Sequence, residues 1–521
     1  MRTSLSFSLL VFGVATASGC GQGSDSAGTL ESDADTDSDT DSDSDTDSDS
    51  DTDSDTDTDT DTDTDTDTDT DWDPVVLGLE LADLKIVGAY DELAATSIAG
   101  GFDTDGDGHD DLLVGAPEGH GFAGAAYLVL GPLTGKVDTA DADATLIGEA
   151  KTDNAGYSVA GGDVDADGTD DLAIVSYGDD EGGANAGAAY VVLGPVSGTH
   201  DLSVADAKLV AEDANDALNT VAFVGDANGD GFEDLALAAF YHDGGGEVDS
   251  GTVYFVLGPV TGTVDLSLAT AKLIGEDDHD DAGTSVAGAG DVDGDGNDDL
   301  IVGAAANSEG ATYSGAAYLV LGPPAGAVGL ETAQAKLVGE EDHGFLGDGN
   351  GVSGAGDVDG DGYDDLIVSC RNDSESATRA GAAYIVRGPV AGTIDASAAD
   401  AKLLGPAKVD GHAGDSVASA GDVNGDGNDD VMVGAHDDNE VAFGAGKVYV
   451  LLGPFSGTSE LASARVTLLG EGMGDHAGSS VSSAGDVDGD GRVDLFVAAE
   501  ANDEGGAQAG AAYLVLSASL H

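Results

Sequence analysis

Four short apolar runs recur along most of the chain, always in the same order. In one copy they read "TSVAGAG" (284–290), "DDLIVGA" (298–304), "GAAYLVLGP" (315–323) and "AKLVGE" (335–340), with a connector near "GAVGLETAQ" before the last. Each is rich in Val, Leu, Ile and Ala and bounded by Gly, Pro or Asp, which is the pattern of strands rather than helices. An acidic loop separates the first run from the second. It begins at Asp103, Asp163, Asp226, Asp291, Asp357, Asp422 and Asp486, so successive copies are 60, 63, 65, 66, 65 and 64 residues apart. So regular a period leaves no room for an inserted domain. Four antiparallel strands cannot bury their faces alone, and seven such units packed radially predict an all-β, seven-bladed β-propeller over residues 74–521.

The two ends of this region complement each other. Before the first acidic loop, "LGLELADLKIVGAY" (77–90) matches the connector and fourth strand of a repeat such as "VDLSLATAKLIGED" (264–277). After the last loop the chain runs through "DLFVAAE" and "AAYLVLS" to His521 with no fourth strand. Residues near Leu84 to Gly88 are therefore expected to close the ring as the outer strand of the last blade.

The acidic loops carry the chemistry. In "DVDGDGNDD" (291–299) the carboxylates fall at Asp291, Asp293, Asp295 and Asp299, at positions one, three, five and nine, with Gly294 and Gly296 allowing the bend. Calcium is a hard cation that takes six to eight oxygens at about 2.3–2.6 Å, and alternate acids in a tight loop aim three of them inward. The backbone carbonyl of Asn297 is expected to fill the next place and Asp299 to close the shell. The same set stands at Asp103, Asp105, Asp107 and Asp111; at Asp163, Asp165, Asp167 and Asp171; and at Asp357, Asp359, Asp361 and Asp365. Asp486, Asp488, Asp490 and Asp494 supply the last. Two loops replace the third-position acid by an amide: Asp226, Asn228, Asp230 and Asp234, and Asp422, Asn424, Asp426 and Asp430. An EF-hand would need Glu at its twelfth position, where this loop has Val302.

The run "SVAGAGDVDGDGNDDLIVGA" (285–304) resembles the FG-GAP repeat of the integrin α-subunit propeller. The resemblance covers residues 80 to 521 and extends to loop, flanking strands, period and copy number. It implies calcium between the first and second strands of each blade, and partner binding on the opposite face. The Phe-Gly that names the repeat is mostly absent; "HGFLGDG" near Phe345 comes nearest.

Charge sharpens the picture. With 103 acidic against 15 basic residues, the formal charge of −88 argues against nucleic acid and anionic membrane surfaces as partners. From Asp33 to Asp71 every second residue is Asp, mostly separated by Ser or Thr. Residues 21–73 are thus expected to form a disordered, self-repelling stalk, its 39-residue alternating run reaching at most roughly 130–140 Å at about 3.3–3.6 Å per residue. The opening "MRTSLSFSLLVFGVATASGC" (1–20) reads as a secretory signal. Its end resembles a bacterial lipobox, which implies lipidation of Cys20 and an outer-membrane or cell-surface location. Ordinary cleavage after Ala17 would give a secreted protein instead.

Nothing in the chain reads as catalytic machinery. Cys370 is expected to be a small packing residue, and Tyr127, Tyr190, Tyr254, Tyr318, Tyr384, Tyr449 and Tyr513 recur at one place in the third strand, as core residues do. Irregularity collects in the loops of the face opposite the acidic ones, at His242, His279, His343, Phe345, Arg371, Arg379, His412, His436 and His476. That face is the expected ligand surface, for a protein or a glycan. A non-enzymatic, calcium-binding adhesion module is the leading expectation. A passive surface or matrix protein and an accessory platform for an extracellular enzyme system are the alternatives.

Overall fold

A computed structural model describes residues 74–520; the signal-like stretch, Cys20 and the acidic stalk lie outside the described residues. The chain forms seven radial sheets in the predicted order. The first blade contains Ser97–Phe102, Asp111–Ala116, Ala125–Val129 and Ala144–Ile147, each antiparallel to the one before. Its second and third strands are buried at every residue, being covered on both faces by neighbouring blades. This is why they read as unbroken apolar runs instead of alternating ones.

Each blade has five strands, one more than the sequence pattern predicts. The fifth is donated by the connector of the following blade: Gly198–Asp201 runs parallel to Ala144–Ile147, in register from Gly198 opposite Ala144 to Asp201 opposite Ile147. It satisfies the open hydrogen-bonding edge of the fourth strand, which would otherwise face solvent. A 3₁₀ turn follows at once, and its leading residue, Leu202 here and Leu266, Leu330 or Leu461 in later blades, is buried between blades. Every blade is thus tied to the next by backbone bonds as well as by packing.

The ring closes through the N-terminal segment, and does so twice. Leu84–Val87 lies antiparallel to the third strand of the last blade, with Leu84 opposite Leu514 and Val87 opposite Ala511, as expected. The residues before it, Val75–Gly78, add the fifth strand to the sixth blade, parallel to Val466–Leu469.

The core is seven interblade clusters. Phe102, Leu113, Leu128, Ile174 and Tyr190 fill the space between the first two blades, and Leu84, Ile86, Phe496, Leu514 and Leu112 fill the seam between the last and the first. At the axis the seven innermost strands surround a channel of about 350 Å³. Small residues are required there: a Cβ on Gly100 would meet the Ala484 Cα at 2.8 Å, and one on Gly354 the Gly288 carbonyl oxygen at 3.0 Å. The recurrent tyrosines are buried as expected, and most lie beneath a fourth-strand lysine, as where Lys208 Nζ sits 5.1 Å from the Tyr190 ring centre. The Tyr190 hydroxyl donates to Asp179 at 2.9 Å, and Lys208 pairs with the same carboxylate at 2.9 Å, so the ring, cation and acid neutralise one another.

Candidate metal centres

Every acidic loop joins the first strand of a blade to the second, so all seven emerge on one face. In the fourth blade the first acid organises the loop: Asp291 Oδ1 accepts from the N–H groups of Gly294 and Asp295 at 2.8 and 2.9 Å, and Oδ2 from Gly296 at 2.9 Å. Asp293 Oδ1 accepts from Asp295 N at 3.1 Å, and Asp295 Oδ1 from Asn297 N at 2.9 Å. The backbone therefore curls around the carboxylates and leaves their remaining lone pairs facing one another. In four loops the first-, third- and fifth-position acids each bring an oxygen into a group that lies within 4.8 Å throughout: Asp103, Asp105 and Asp107; Asp163, Asp165 and Asp167; Asp291, Asp293 and Asp295; Asp357, Asp359 and Asp361. In the seventh the group is Asp486, Asp488 and Asp494, with Asp490 beside it donating its N–H to Asp486 at 2.9 Å.

Asn228 and Asn424 make the third and sixth loops different. Asn228 Nδ2 donates to Asp234 at 3.3 Å, whereas Asn424 Oδ1 accepts from Asp426 N at 2.8 Å. The loops keep their shape, with Asp226 and Asp422 each accepting from the fifth-position N–H at 3.0 Å. Each carries one charge fewer. The second loop has Ala166 where the others have glycine, exposed and at φ 57°, in the left-handed region that costs a residue with a Cβ. Ala166→Gly should therefore stabilise the protein by up to about 1 kcal/mol, read as a small rise in urea midpoint at unchanged slope.

The ninth-position acids do more than the expected closing of a shell. Asp299 is buried, and its Oδ2 accepts from Val292 N at 3.1 Å while Oδ1 accepts from Gly322 N at 2.9 Å, pinning the loop to the turn after the third strand. Asp111, Asp171, Asp234, Asp365 and Asp430 make the same bond to Gly131, Gly194, Gly258, Gly388 and Gly453, and Asp494 makes it to Ser517. Burial, opposed by these bonds and reinforced by the neighbouring loop acids, pushes Asp111 and Asp234 up to about 6, Asp171, Asp299, Asp365 and Asp494 to about 7, and Asp430 to about 8.

The acids at position eight have a role the sequence reading missed. Asp170 Oδ2, in the second blade, accepts from the backbone N–H of Asp103 in the first at 2.6 Å, and its own N–H donates back to the Asp103 carbonyl at 3.0 Å. Asp298, Asp364 and Asp429 hold Asp226, Asp291 and Asp357 at 2.8–2.9 Å, and Asp110 holds Asp486 at 2.6 Å across the closure. Glu233 N–H donates to the Asp163 carbonyl at 3.1 Å. Val493 occupies this position in the seventh blade. In six of the seven loops the first acid is thus held by the next blade.

All-oxygen donors, several of them carboxylates on one tightly turned loop, suit a hard divalent cation and not a thiolate- or imidazole-seeking metal. When bound, such an ion supplies the positive charge that the crowded acids otherwise lack.

On the opposite face the predicted residues separate into pairs. Arg371 meets Asp348 and Arg379 meets Asp410, both at 2.6 Å, and His279 lies 3.2 Å from Asp249. His242 Nδ1 is 3.0 Å from the Thr252 hydroxyl. His343 and Phe345 pack around Tyr313. His412, His436 and His476 come together: His412 Nδ1 is 2.8 Å from Asp437, His436 Nδ1 2.6 Å from Asp415, and the His436 and His476 rings are 5.3 Å apart. Burial opposes charge on His436, but Asp415 outweighs it and raises the pKa. Cys370 is buried with its Sγ 3.2 Å from the Gly344 carbonyl, and burial pushes the thiol up.

A propeller with acidic hairpins at one end of each blade defines a class of repeat protein, and comparison with known proteins agrees. The FG-GAP repeat matches residues 94–129, 155–192, 282–320 and 349–386, and an FG-GAP-like repeat matches 422–497. The chain carries FG-GAP and FG-GAP-like repeats, and its propeller is distantly similar to that of integrin α chains. It is 29% identical over 271 residues to integrin alpha pat-2 of Caenorhabditis elegans, and 29% over 218 residues to the Caenorhabditis briggsae protein of the same name. The aligned regions are 49% and 39% of this chain but only 20% and 17% of those proteins, so it spans about a fifth of their length. Among solved structures, BBS1N in complex with ARL6DN overlaps at a TM-score of 0.44 and 10% identity, covering 84% of this chain and 94% of that one. The rhamnogalacturonan lyase YesW overlaps at 0.35 and 13%, covering 83% and 72%.

Proposed function

We propose that this protein is a calcium-stabilised extracellular binding module, held at the cell surface by a lipid on Cys20 and spaced from it by the acidic stalk. The observation that carries the reading is the division of labour between the two faces. The acidic loops keep nearly one arrangement around the ring, with Asn in place of Asp at position three of two of them, whereas the loops of the other end differ from blade to blade, as recognition surfaces on rigid scaffolds do. The ion-ligating residues are those of positions one, three, five and nine in each loop, and the ion fixes the scaffold on which the variable loops stand. Adhesion to a protein or glycan partner is the function this arrangement serves best.

Full-length protein is expected to capture specific partners on an array of extracellular proteins and glycans in calcium and to lose them in chelator. Substrate turnover on the same array would favour an enzyme, and silence under both conditions a passive surface protein.

A further inference from the structure

The axial channel opens on the face opposite the acidic loops, and the repeats differ in the residues around its mouth. At this level each repeat places one residue at or close to the start of its innermost strand: Thr96, Tyr157, Asn219, Thr284, Asn350, Asp415 and Ser479 in blade order. The next position is Ser or Thr in six of the seven blades, at Ser97, Ser158, Thr220, Ser285, Ser416 and Ser480. A ring that is nearly constant one residue deeper and varied at the rim breaks the sevenfold symmetry where a single ligand would need it broken.

The mouth encloses about 180 Å³, lined by Tyr157, Asn219, Thr220, Asn350 and neighbouring Ser, Thr and Gly residues. Tyr157 is 41% exposed at the rim, and its ring stacks on Tyr177 with centres 5.0 Å apart and planes 26° from parallel. Asn219 is only 8% exposed; its Nδ2 donates to Thr220 Oγ1 at 2.9 Å, while its Oδ1 is buried without a hydrogen-bond partner. An unpartnered amide oxygen costs free energy unless a ligand or water donates to it.

We propose that this mouth is a saccharide site that takes one neutral pyranose ring, with Tyr157 as the stacking platform and Asn219 Oδ1 accepting from a sugar hydroxyl. The proposal rests on the reading of the protein as a binding module and names its ligand class. A pyranose presents an apolar C–H face and a rim of hydroxyls that both donate and accept, which matches an aromatic ledge beside a pocket of hydroxyls and amides. Charge decides against a cationic ligand. In a chain with 103 acidic residues, none of the residues lining the cavity is charged. Asp415, the one acid of the rim series, is neutralised by His436 at 2.6 Å with Arg371 at 3.9 Å.

The test is isothermal titration of the full-length, calcium-loaded protein with free galactose, glucose, mannose, fucose and N-acetylglucosamine, with choline as a cationic probe. At least one sugar should bind, and Tyr157→Ala should weaken it about tenfold or more at an unchanged melting temperature. Asn219→Ala should do likewise; if it fails to fold, the exposed Tyr157 variant still decides the matter. Absence of binding by every sugar, equal affinity in Tyr157→Ala, or binding of choline alone would overturn the site. A protein that captures array ligands undisturbed by Tyr157→Ala would lose only this proposal, whereas one that captures nothing at all would lose the binding-module reading with it.

Discussion

Removal of divalent cations should lower the melting temperature by about 10 °C at neutral pH, and restoring millimolar calcium should reverse the loss. Extracellular calcium modules bind at about 0.1–1 mM, so each loop occupied at roughly ten times its dissociation constant contributes about 1.4 kcal/mol of native-state stabilisation. Seven loops together approach about 10 kcal/mol, and an unfolding entropy of about 2 cal/mol/K per residue makes that about 1 °C per kcal/mol for a ring of this size. The size of the effect should also depend on pH, with a definite sign. In the metal-free ring, burial holds the ninth-position acids at about 6 to 8, above the usual aspartate range, so the folded state binds more protons than the unfolded one. The contribution of these acids to metal-free stability is then full below about pH 4 and lost as pH rises through 6 to 8. With calcium bound the acids stay ionised, and acidification releases the ion instead. The gain in melting temperature from calcium should therefore grow between pH 5 and 8. Scanning calorimetry with and without chelator at several pH values checks both points, and a melting temperature indifferent to chelator, in protein free of metal, would remove calcium from the proposed function.

The parts of the ring that a sequence shows are those whose causes are local. The loop acids at alternate positions, the second strands buried on both faces and the missing last strand all leave marks within a few residues of one another, and the structure places them as read. The fifth strand leaves no such mark. Its residues, as in Gly198–Asp201, are four, polar and mostly exposed, and they form a strand only because the fourth strand of the previous blade offers an open edge more than fifty residues earlier in the chain. The eighth-position acid is hidden for a related reason. In "NDDL" Asp298 looks redundant beside Asp299, and its partner is the backbone of Asp226, 72 residues away. The rim residues at the axis, from Thr96 to Ser479, leave only one mark in the sequence: they differ among seven copies whose neighbouring positions agree.

Loss of the N-terminal strands should be more damaging than loss of any single calcium site. Leu79, Leu84, Ile86 and Val87 are each at most 1% exposed, and burying four such side chains is worth about 6–12 kcal/mol at about 1.5–3 kcal/mol each. That is comparable with the whole net stability of an ordinary domain, about 5–15 kcal/mol. The same segment holds backbone bonds to both the sixth and seventh blades, and Lys85 pairs with Glu471 at 2.7 Å. A protein that begins at Asp91 should therefore lose cooperative unfolding at 25 °C even in saturating calcium, because the opened seam exposes Phe496, Leu514 and Leu112 on facing blades. Ile86→Asp should reproduce much of the defect in the full-length chain, since an unpaired buried carboxylate costs several kcal/mol. A synthetic peptide of residues 74–90 added in trans should restore the cooperative transition to the shortened protein, because the strand supplies pairing and side chains that no other described segment provides. An unchanged calorimetric transition in the shortened protein would mean that the seven blades hold their ring without this strand.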